Sequence, residues 1–234
     1  MDFTVNHSLK KLALVGSTGK MGQKVIELLS ENSWKAKLAL SSSIHLETKD
    51  VLEKPDVVID FSVPESTLKW AQKWAEFKSP ILICTTGFKK EEFETLKEKF
   101  KNNAWAMIPN TSLGIYAFIK SLRAYIKFFS DIQSITIHEV HHVHKKDSPS
   151  GTALLLKMAM LDAGFAGDIQ IQSAREGEVV GTHTVIIQRS YDRLILTHEA
   201  HDRRLFAEGA LLLADKLANK VPRSQPYTFD EILS

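Results

Sequence analysis

The fold class of this chain is indicated by one stretch near its start, Lys11-Leu-Ala-Leu-Val-Gly-Ser-Thr-Gly-Lys-Met-Gly22. Lys11–Val15 is a short, mainly apolar run that ends at a glycine, which predicts a buried strand. Three glycines at intervals of three then predict a tight turn, and apolar residues at helical spacing predict a helix over Gln23–Glu31. A strand, a glycine turn and a helix in this order are typical of the first corner of a dinucleotide-binding domain.

The chain after this corner alternates between short apolar runs and amphipathic segments. Strands are predicted at Lys37–Leu40, Asp56–Ser62, Pro80–Thr86 and Ala104–Ile108, and helices at Glu65–Phe77 and Lys89–Lys101. This alternation predicts a parallel sheet covered by helices on both faces, which is a Rossmann-like nucleotide domain. Ligands of such sheets bind at the carboxyl ends of the strands, where we therefore expect a cofactor.

The pattern changes after Asn110. Helices are predicted at Ser112–Phe129, Thr152–Gly164 and Arg203–Asn219, and strands at Ile132–His142, Ile169–Ala174, Val179–Gln188 and Arg193–Ala200. The strand Ile132–His142 alternates and has Ile135, Ile137, Glu139 and His141 on one face. Strands that follow one another with little helix between them predict an α+β domain with an open mixed sheet, most of it antiparallel. The chain as a whole is therefore predicted to be of the α/β class.

The composition excludes several other classes of protein. The 234 residues are 44% hydrophobic and 25% charged, which predicts a folded chain. A formal net charge of +2 predicts no nucleic-acid partner and no anionic membrane partner. The one cysteine, Cys84, excludes a disulfide framework, and no apolar run approaches the roughly 18 residues that span a bilayer. We expect a cytoplasmic protein.

The glycine turn has the chemistry to hold a pyrophosphate. Gly16, Gly19 and Gly22 can provide the sharp bend, the close approach of the backbone and the tight packing of helix on strand. Ser17 and Thr18 add hydroxyl donors, and the start of the helix adds free N–H groups. The alternative is that the three glycines only form a turn and a close helix contact.

The end of the second predicted strand bears on the choice of cofactor. An acidic residue at this place binds the ribose diol of NAD. Here the chain reads Ser41-Ser42-Ser43, and Glu47 is the nearest acid. A 2′-phosphate would meet no carboxylate at this place, which favours NADPH and leaves NADH open.

The histidine-rich segment His138–Thr152 has three interpretations. His138-Glu-Val-His-His142 matches the HExxH zinc motif, but that motif requires a helix. In the predicted strand, positions four apart lie about 13 Å from each other and cannot share one ion, so we expect no metal. A second interpretation is structural, with histidines hydrogen-bonded at a strand end. A zinc hydrolase and a nucleotide-sensing module without chemistry remain the alternative functions.

The third interpretation is acid–base chemistry on an anionic substrate. Histidine gives or takes a proton near neutral pH, and Lys145 is a candidate proton donor beside the histidines. Gly151 and Thr152 begin the next predicted helix. Their N–H groups and the threonine hydroxyl would bind a carboxylate there.

Residues His141-His142-x-His144-Lys145-x-Asp147-x-Pro149-Ser150-Gly151-Thr152-Ala153 resemble the signature of the dihydrodipicolinate reductase family, also called 4-hydroxy-tetrahydrodipicolinate reductases. The resemblance extends over nearly the whole chain in the family's order. The other matching motifs are Gly16-x-x-Gly19-Lys20-Met21-Gly22, Asp60-Phe61-Ser62-x-Pro64, Thr85-Thr86-Gly87-Phe88, Asn110-x-Ser112-x-Gly114, Arg175-x-Gly177 with Gly181-x-His183, and Phe229-x-x-Ile232-Leu233.

The resemblance implies a reaction and roles for residues. The reaction is the reduction, by NADPH or NADH, of 4-hydroxy-tetrahydrodipicolinate or dihydrodipicolinate to tetrahydrodipicolinate, in lysine and diaminopimelate biosynthesis. The substrate would be a small cyclic dicarboxylate. His141 would be the catalytic acid or base and Lys145 the proton donor. The implied substrate-binding residues are His142, Gly151, Thr152 and Arg203.

The resemblance also implies a cofactor site, a domain division and an assembly. The expected cofactor-binding residues are Gly16, Ser17, Thr18, Gly19, Lys20, Met21, Ser41, Phe61, Cys84, Thr85, Thr86, Ile108, Pro109, Asn110 and Thr111. Residues 1–112 and 204–234 would form the dinucleotide-binding domain, and residues 113–203 the substrate-binding and oligomerisation domain of a homotetramer. Lys20, Cys84 and Thr111 depart from the family's usual arginine, glycine and aromatic residue.

Overall fold

The computed structural model describes residues 11–31, 37–42 and 53–234, with only the backbone described for residues 37–42. The chain divides into two compact units. One unit comprises the described residues up to Ser112 together with Arg204–Ser234, and the other comprises Leu113–Arg203. Ser43 and Glu47 lie outside the described residues, as does the side chain of Ser41.

The first unit is built on a parallel sheet, as the sequence predicts. Within the described residues its strands are β1 (Lys11–Val15), β2 (Lys37–Ser42), β3 (Val57–Asp60), β4 (Ile81–Ile83) and β5 (Trp105–Met107), in the order β2-β1-β3-β4-β5. All four neighbouring pairs are parallel. The order of the strands reverses between β1 and β3, and the ends of these two strands are where such sheets bind ligands.

Helices surround this sheet. They are α1 (Lys20–Ser30), α2 (Pro64–Phe77), α3 (Lys90–Lys99), α6 (Arg204–Leu217) and α7 (Phe229–Leu233). The residues of β1, β3, β4 and β5 are buried, apart from Lys11 and the partly exposed Met107, which is why these strands read as continuous apolar runs. Trp70 and Trp74 of α2 stack with their ring centroids 5.1 Å apart and pack into one core with Trp105.

The second unit contains a four-stranded mixed sheet in its described residues. The strands are β6 (Ile132–His141), β7 (Ile169–Arg175), β8 (Gly181–Arg189) and β9 (Arg193–Ala200), in the order β7-β6-β8-β9. The β6–β7 pair is parallel, and the β6–β8 and β8–β9 pairs are antiparallel. Helices α4 (Leu113–Phe128) and α5 (Gly151–Asp162) pack their apolar residues against this sheet. The predicted fold class is therefore confirmed in both units.

Several predicted elements end at different residues in the structure, and one segment predicted as a tail is a helix. The strand predicted over Pro80–Thr86 is only Ile81–Ile83, because Thr85 and Thr86 already belong to the loop at the carboxyl edge of the sheet. The segment Phe229–Leu233 is a short helix with Thr228 as its cap, where the sequence analysis predicts only a tail. Among the described residues, no helix is both long and apolar enough to cross a membrane.

Candidate active site

The glycine turn after β1 leaves no room for larger residues at two of its three glycines. Gly16 has a φ of +80°, and a Cβ there would lie 2.6 Å from the carbonyl oxygen of Phe61. A Cβ on Gly22 would collide with the backbone of Gly16 and Ser17. The Gly19 N–H closes the turn by donating to the Gly16 carbonyl at 3.1 Å. The bend and the close packing of helix on strand thus have the form that a pyrophosphate site requires.

The first turn of α1 follows directly. Its cap is Gly19, which offers no side chain to the free N–H groups, and no acidic residue lies in the first turn. Thr18 and Lys20 are exposed beside it, Met21 is partly buried, and Ser17 is buried. Free N–H groups at the positive end of a helix attract a phosphate, and the residues present therefore fit a nicotinamide dinucleotide.

A buried carboxyl group fixes the carboxyl ends of β3 and β4. Asp60 is 2% exposed, and its Oδ1 accepts hydrogen bonds from the Ser62 N–H at 2.8 Å, the Ser62 hydroxyl at 2.6 Å and the Thr85 hydroxyl at 3.0 Å. Burial raises the pKa of Asp60, although these hydrogen bonds oppose the shift. The group holds Phe61 and Thr85 at the edge where the cofactor is expected.

The other expected cofactor residues lie at the same edge of the sheet but differ in how exposed their side chains are. Thr86 and Pro109 are exposed, whereas Cys84 and Ile108 are buried. Burial raises the pKa of the Cys84 thiol well above its usual value. Thr111 is 1% exposed, and its hydroxyl donates to the carbonyl of Phe206 at 2.6 Å. The Thr111 side chain thus anchors α6 to this edge.

The histidine-rich segment follows the predicted alternation. Strand β6 buries Ile135, Ile137, Glu139 and His141 on one face. Because β6 is a strand, His138 and His142 do not share the helical turn that the zinc motif requires. The inner face of β6 instead places a carboxylate and an imidazole side by side at its carboxyl end.

Glu139 pairs with two basic side chains. Its Oε2 lies against Nδ1 of His141, and its Oε1 accepts a hydrogen bond from Nη1 of Arg175 at 3.1 Å. Burial would raise the pKa of Glu139, but hydrogen bonds from Ser173 and Arg175 and the charges of His141 and Arg175 outweigh it, so the pKa is lowered. The carboxylate therefore stays ionised.

His141 is held from a second side by β8. A Cβ on Gly181 would lie 2.9 Å from His141 Nε2, so only glycine leaves space for the ring. The ring of His183 meets that of His141 edge to face at 5.0 Å. Burial, followed by the charge of Lys145 and opposed by that of Glu139, lowers the pKa of His141. Burial and then the charge of His141 lower the pKa of His183 to about 4.

The turn after β6 brings Lys145 to the same end of the sheet. Its N–H donates to the His142 carbonyl at 2.9 Å, and its Nζ lies 3.0 Å from Oδ1 of Asp147. Arg175 fixes this turn by donating from Nη2 to the Asp147 carbonyl at 2.6 Å. Burial would raise the pKa of Asp147, but the hydrogen bond and charge of Lys145 lower it.

The start of α5 lies beside the cluster formed by Glu139, His141 and Lys145. Ser150 is its cap and accepts from the Ala153 N–H at 3.2 Å, while the Ser150 N–H donates to Glu139 Oε1 at 3.3 Å. Gly151 is exposed, and a Cβ there would meet no atom within 4 Å. Thr152 follows in the first turn. A helix N-terminus that opens beside a histidine and a lysine can bind a carboxylate and deliver a proton to the same molecule.

Profiles of known families match almost the whole chain. The profile described as "Dihydrodipicolinate reductase, N-terminus" matches residues 10–111, and that described as "Dihydrodipicolinate reductase, C-terminus" matches residues 114–233. The chain belongs to the dihydrodipicolinate reductase family. The resemblance stated from the motifs is thereby confirmed.

Individual relatives agree with this membership of the dihydrodipicolinate reductase family. The chain is 32% identical to the 4-hydroxy-tetrahydrodipicolinate reductase of Lawsonia intracellularis, over 95% of this chain and 98% of that one. It is 33% identical to the enzyme of the same name from Methanococcus aeolicus, over 94% and 97%. The fold resembles that of a dipicolinate-bound dihydrodipicolinate reductase from Paenisporosarcina sp. TG-14, with a TM-score of 0.74, 20% identity, and coverage of 92% and 96%.

Among the residues that the structure describes, one trio of side chains has the spacing of a metal site. Glu139, His141 and His183 place ligand atoms within 4.8 Å of one another. Nη1 of Arg175, however, lies 3.1 Å from the Glu139 carboxylate and would repel a divalent cation. Ser150 Oγ also lies 3.2 Å from Nε2 of His183. These contacts fit a network of ion pairs better than a metal centre.

Two neighbouring arginines of the reductase have different surroundings. Arg204 pairs with Glu31 of α1 at 3.2 Å and lies 3.8 Å from Glu27. Arg203, the residue assigned to the substrate from the resemblance, is partly buried at the end of the second unit. Arg204 is therefore paired within the first unit, and the assignment of Arg203 to the substrate stays a prediction.

Sequence reasoning gave no role to Glu139, Arg175, Gly181 or His183, although all four occur in the quoted motifs or on the predicted inner face of β6. The signal that could have revealed Glu139 is its place on that face, because a carboxylate there must have a partner. Arg175 is brought to it by the parallel register of β6 and β7, which pairs His141 with Arg175.

Proposed function

We propose that this protein catalyses the reduction of 4-hydroxy-tetrahydrodipicolinate, or of the dihydrodipicolinate formed from it, to tetrahydrodipicolinate. The reaction belongs to lysine and diaminopimelate biosynthesis, and the names of the relatives support this assignment. The single observation that carries the proposal is the cluster of His141, Lys145 and the first turn of α5 at one end of the second sheet. It offers proton donors and an anion site to one small dicarboxylate.

The family and the Rossmann-like unit support a nicotinamide cofactor. When bound, it would supply a hydride to the conjugated C=C–C=N system of dihydrodipicolinate, the form that 4-hydroxy-tetrahydrodipicolinate reaches by losing water. The turn at Gly16–Gly22 and the start of α1 would hold its pyrophosphate, with Phe61 and Thr85 nearby. The remaining members of the proposed cofactor site are those named from the sequence, including Ser41, Cys84 and Asn110. We propose that both NADPH and NADH are accepted.

The chain's own residues would protonate the anion that hydride addition creates and would bind the carboxylates of the substrate. The addition leaves an enamine-like anion, which needs one proton. We assign this proton to the pair of Lys145 and His141, which are four residues apart and close enough for the charge of Lys145 to lower the pKa of His141. The N–H groups of Gly151 and Thr152 would hold one carboxylate, and His142 and Arg203 would contribute to the binding of the rest of the ring.

The proposal extends to the assembly of the protein and to its location in the cell. One face of the second sheet carries the packed helices, and exposed residues on β9, such as Ile195 at 52%, belong to the other face. We propose a homotetramer formed through this sheet, which light scattering can test. We also propose a cytoplasmic location, where the buried thiol of Cys84 would stay reduced.

A coupled absorbance assay tests the proposed reaction. The substrate is made freshly by the synthase that precedes this step, and the oxidation of NADPH or NADH is followed separately with the purified protein. We expect consumption of reduced cofactor that depends on both the synthase product and this protein. No consumption with either cofactor, from a protein that binds NADPH, would contradict the proposed function.

A further inference from the structure

The most completely buried charged group of the second unit is one to which the proposed reaction gives no task. The side chain of Glu139 has 0% exposure, and both of its oxygens are engaged. Oε2 lies against His141, while Oε1 accepts from Arg175 and from the Ser150 N–H. Burying a carboxylate is costly, so a group placed there needs a benefit that offsets the cost.

We propose that Glu139 is a positioning residue that holds His141 with its proton on Nδ1 and thereby makes Nε2 the atom that exchanges the catalytic proton. The inference rests on the proposed function, because it concerns how the proposed acid works. It adds a residue and assigns a single nitrogen atom to the proton transfer.

The donor and acceptor chemistry leads to this assignment. An ionised carboxylate only accepts hydrogen bonds, and a neutral imidazole has one protonated nitrogen and one bare nitrogen. Since Nδ1 of His141 lies against Glu139 Oε2, the proton of the neutral ring belongs on Nδ1. Nε2 faces the space that Gly181 leaves by having no side chain. A second proton on Nε2 makes the imidazolium, which can pass that proton to the substrate anion and regain one from water.

The charges around His141 show why the carboxylate is needed. Lys145 follows on the loop after β6, Arg175 projects from β7, and His183 lies on β8. Lys145 and Arg175 both disfavour the imidazolium, and burial disfavours it further. Glu139 is the group that opposes them, so its ionised carboxylate favours the uptake of a proton by the ring.

Glu139 also connects His141 to the anion site. Its Oε1 accepts hydrogen bonds from the N–H of Ser150, the cap of α5, and from Arg175. Arg175 in turn donates to the backbone carbonyl of Asp147, in the turn that carries Lys145. One carboxylate therefore fixes the imidazole, the start of the substrate-binding helix and the lysine turn relative to one another.

The variant Glu139→Gln tests the inference while preserving the size of the side chain. The amide can still accept from Arg175, but its NH₂ would then face Nδ1 and favour the opposite tautomer. We expect kcat to fall by about 10²-fold with little change in KM for substrate or in NADPH binding. The matched control is Glu94→Gln, which makes the same change at an exposed carboxylate of α3 and should leave kcat unchanged.

Two further readouts separate positioning from a merely structural role. In a His141→Gln background, Glu139→Gln should cause little further loss of kcat, because the two residues act as one unit. By ¹⁵N NMR of histidine-labelled protein, neutral His141 should carry its proton on Nδ1 in the wild type. Glu139→Gln should lower the pKa of His141, since the charge that raises it is gone.

The NMR measurement on the wild type needs neither activity nor a stable variant. A wild type with no reductase activity would defeat the proposed function alone, whereas the tautomer of His141 would still decide the positioning. Nε2–H as the neutral form, a pKa of His141 unaffected by Glu139→Gln, or additive losses of kcat in the double variant would each overturn the inference. So would a stoichiometric metal ion in purified wild type that Glu139→Gln loses.

Discussion

Nη1 of Arg175 lies 3.1 Å from Oε1 of Glu139, and the same guanidinium donates from Nη2 to the Asp147 carbonyl. The pair joins β6, β7 and the turn that carries Lys145. A buried carboxylate that loses its cationic partner is costly, because its charge is left without compensation.

Arg175→Met should therefore destabilise the fold. We expect a loss of about 3 kcal/mol in the free energy of unfolding, measured by urea denaturation. Arg193→Met, at an exposed arginine of β9, serves as the control and should change it by less than about 0.5 kcal/mol. Equal stability of the two variants would show that the Glu139 carboxylate does not depend on this partner.

The lowered pKa of His183 predicts that the protein loses stability in acid. This pKa falls from 6.5 to about 4 on folding, mainly through burial and then through the charge of His141. The unfolded chain therefore binds a proton below about pH 6.5 that the folded chain binds only below about pH 4, and stability decreases as the pH falls between these values. At about 1.4 kcal/mol per pKa unit, this group accounts for up to about 3 kcal/mol.

Thermal unfolding of wild type and His183→Gln across pH 7.5 to 4 measures this effect. The variant should lose less stability over that range, although His141, whose pKa is also lowered, still contributes to the decline. Parallel pH profiles for the two proteins would contradict the assignment to His183.

Gly181→Ala should impair catalysis more than folding. Its Cβ would lie 2.9 Å from Nε2 of His141 and would displace the ring or cover the nitrogen. We expect kcat to fall by at least about tenfold while NADPH binding is unchanged, since the proposed cofactor-binding residues belong to the other unit. Thr182→Ala, one position along on the opposite face of β8, is the control. A kcat equal to that of the control would argue against a role for Nε2.

Gly19→Ala tests the cofactor corner without a large steric conflict. Gly19 has a φ of −75°, and a Cβ there would lie 3.3 Å from the Gly16 carbonyl, so the fold can accept alanine. In the proposed cofactor site the added methyl group would lie where the backbone has to approach the phosphates closely, and we expect the Kd for NADPH to rise by at least about tenfold. Fluorescence titration measures the Kd. An unchanged Kd would place the pyrophosphate elsewhere.

The sequence predicts local features of this fold well because they depend on neighbouring residues. The alternation of β6 correctly placed Glu139 and His141 on its inner face, and the glycines correctly located the turn before α1. The segment Phe229–Leu233 was missed as a helix because five residues show too little periodicity. Its capping box, Thr228 with Glu231, was the available signal.

Contacts between distant residues could not be predicted from one sequence. Arg175 is 36 residues from Glu139, and Thr111 is 95 residues from the Phe206 carbonyl that it binds. Such partners are set by strand register and helix packing, which periodicity does not reveal. The resemblance assigned Thr111 to the cofactor, but only the structure gives its hydroxyl a partner within the same unit.

The central claim is that Lys145, together with His141, protonates the anion that hydride addition creates. The most direct measurement is the kcat of Lys145→Ala in the coupled assay, set against that of Lys146→Ala, because Lys146 is the exposed neighbour. We expect Lys145→Ala to lose about 10²-fold or more in kcat and Lys146→Ala to match the wild type. Equal rates in the two variants, with NADPH bound normally by both, would contradict the account.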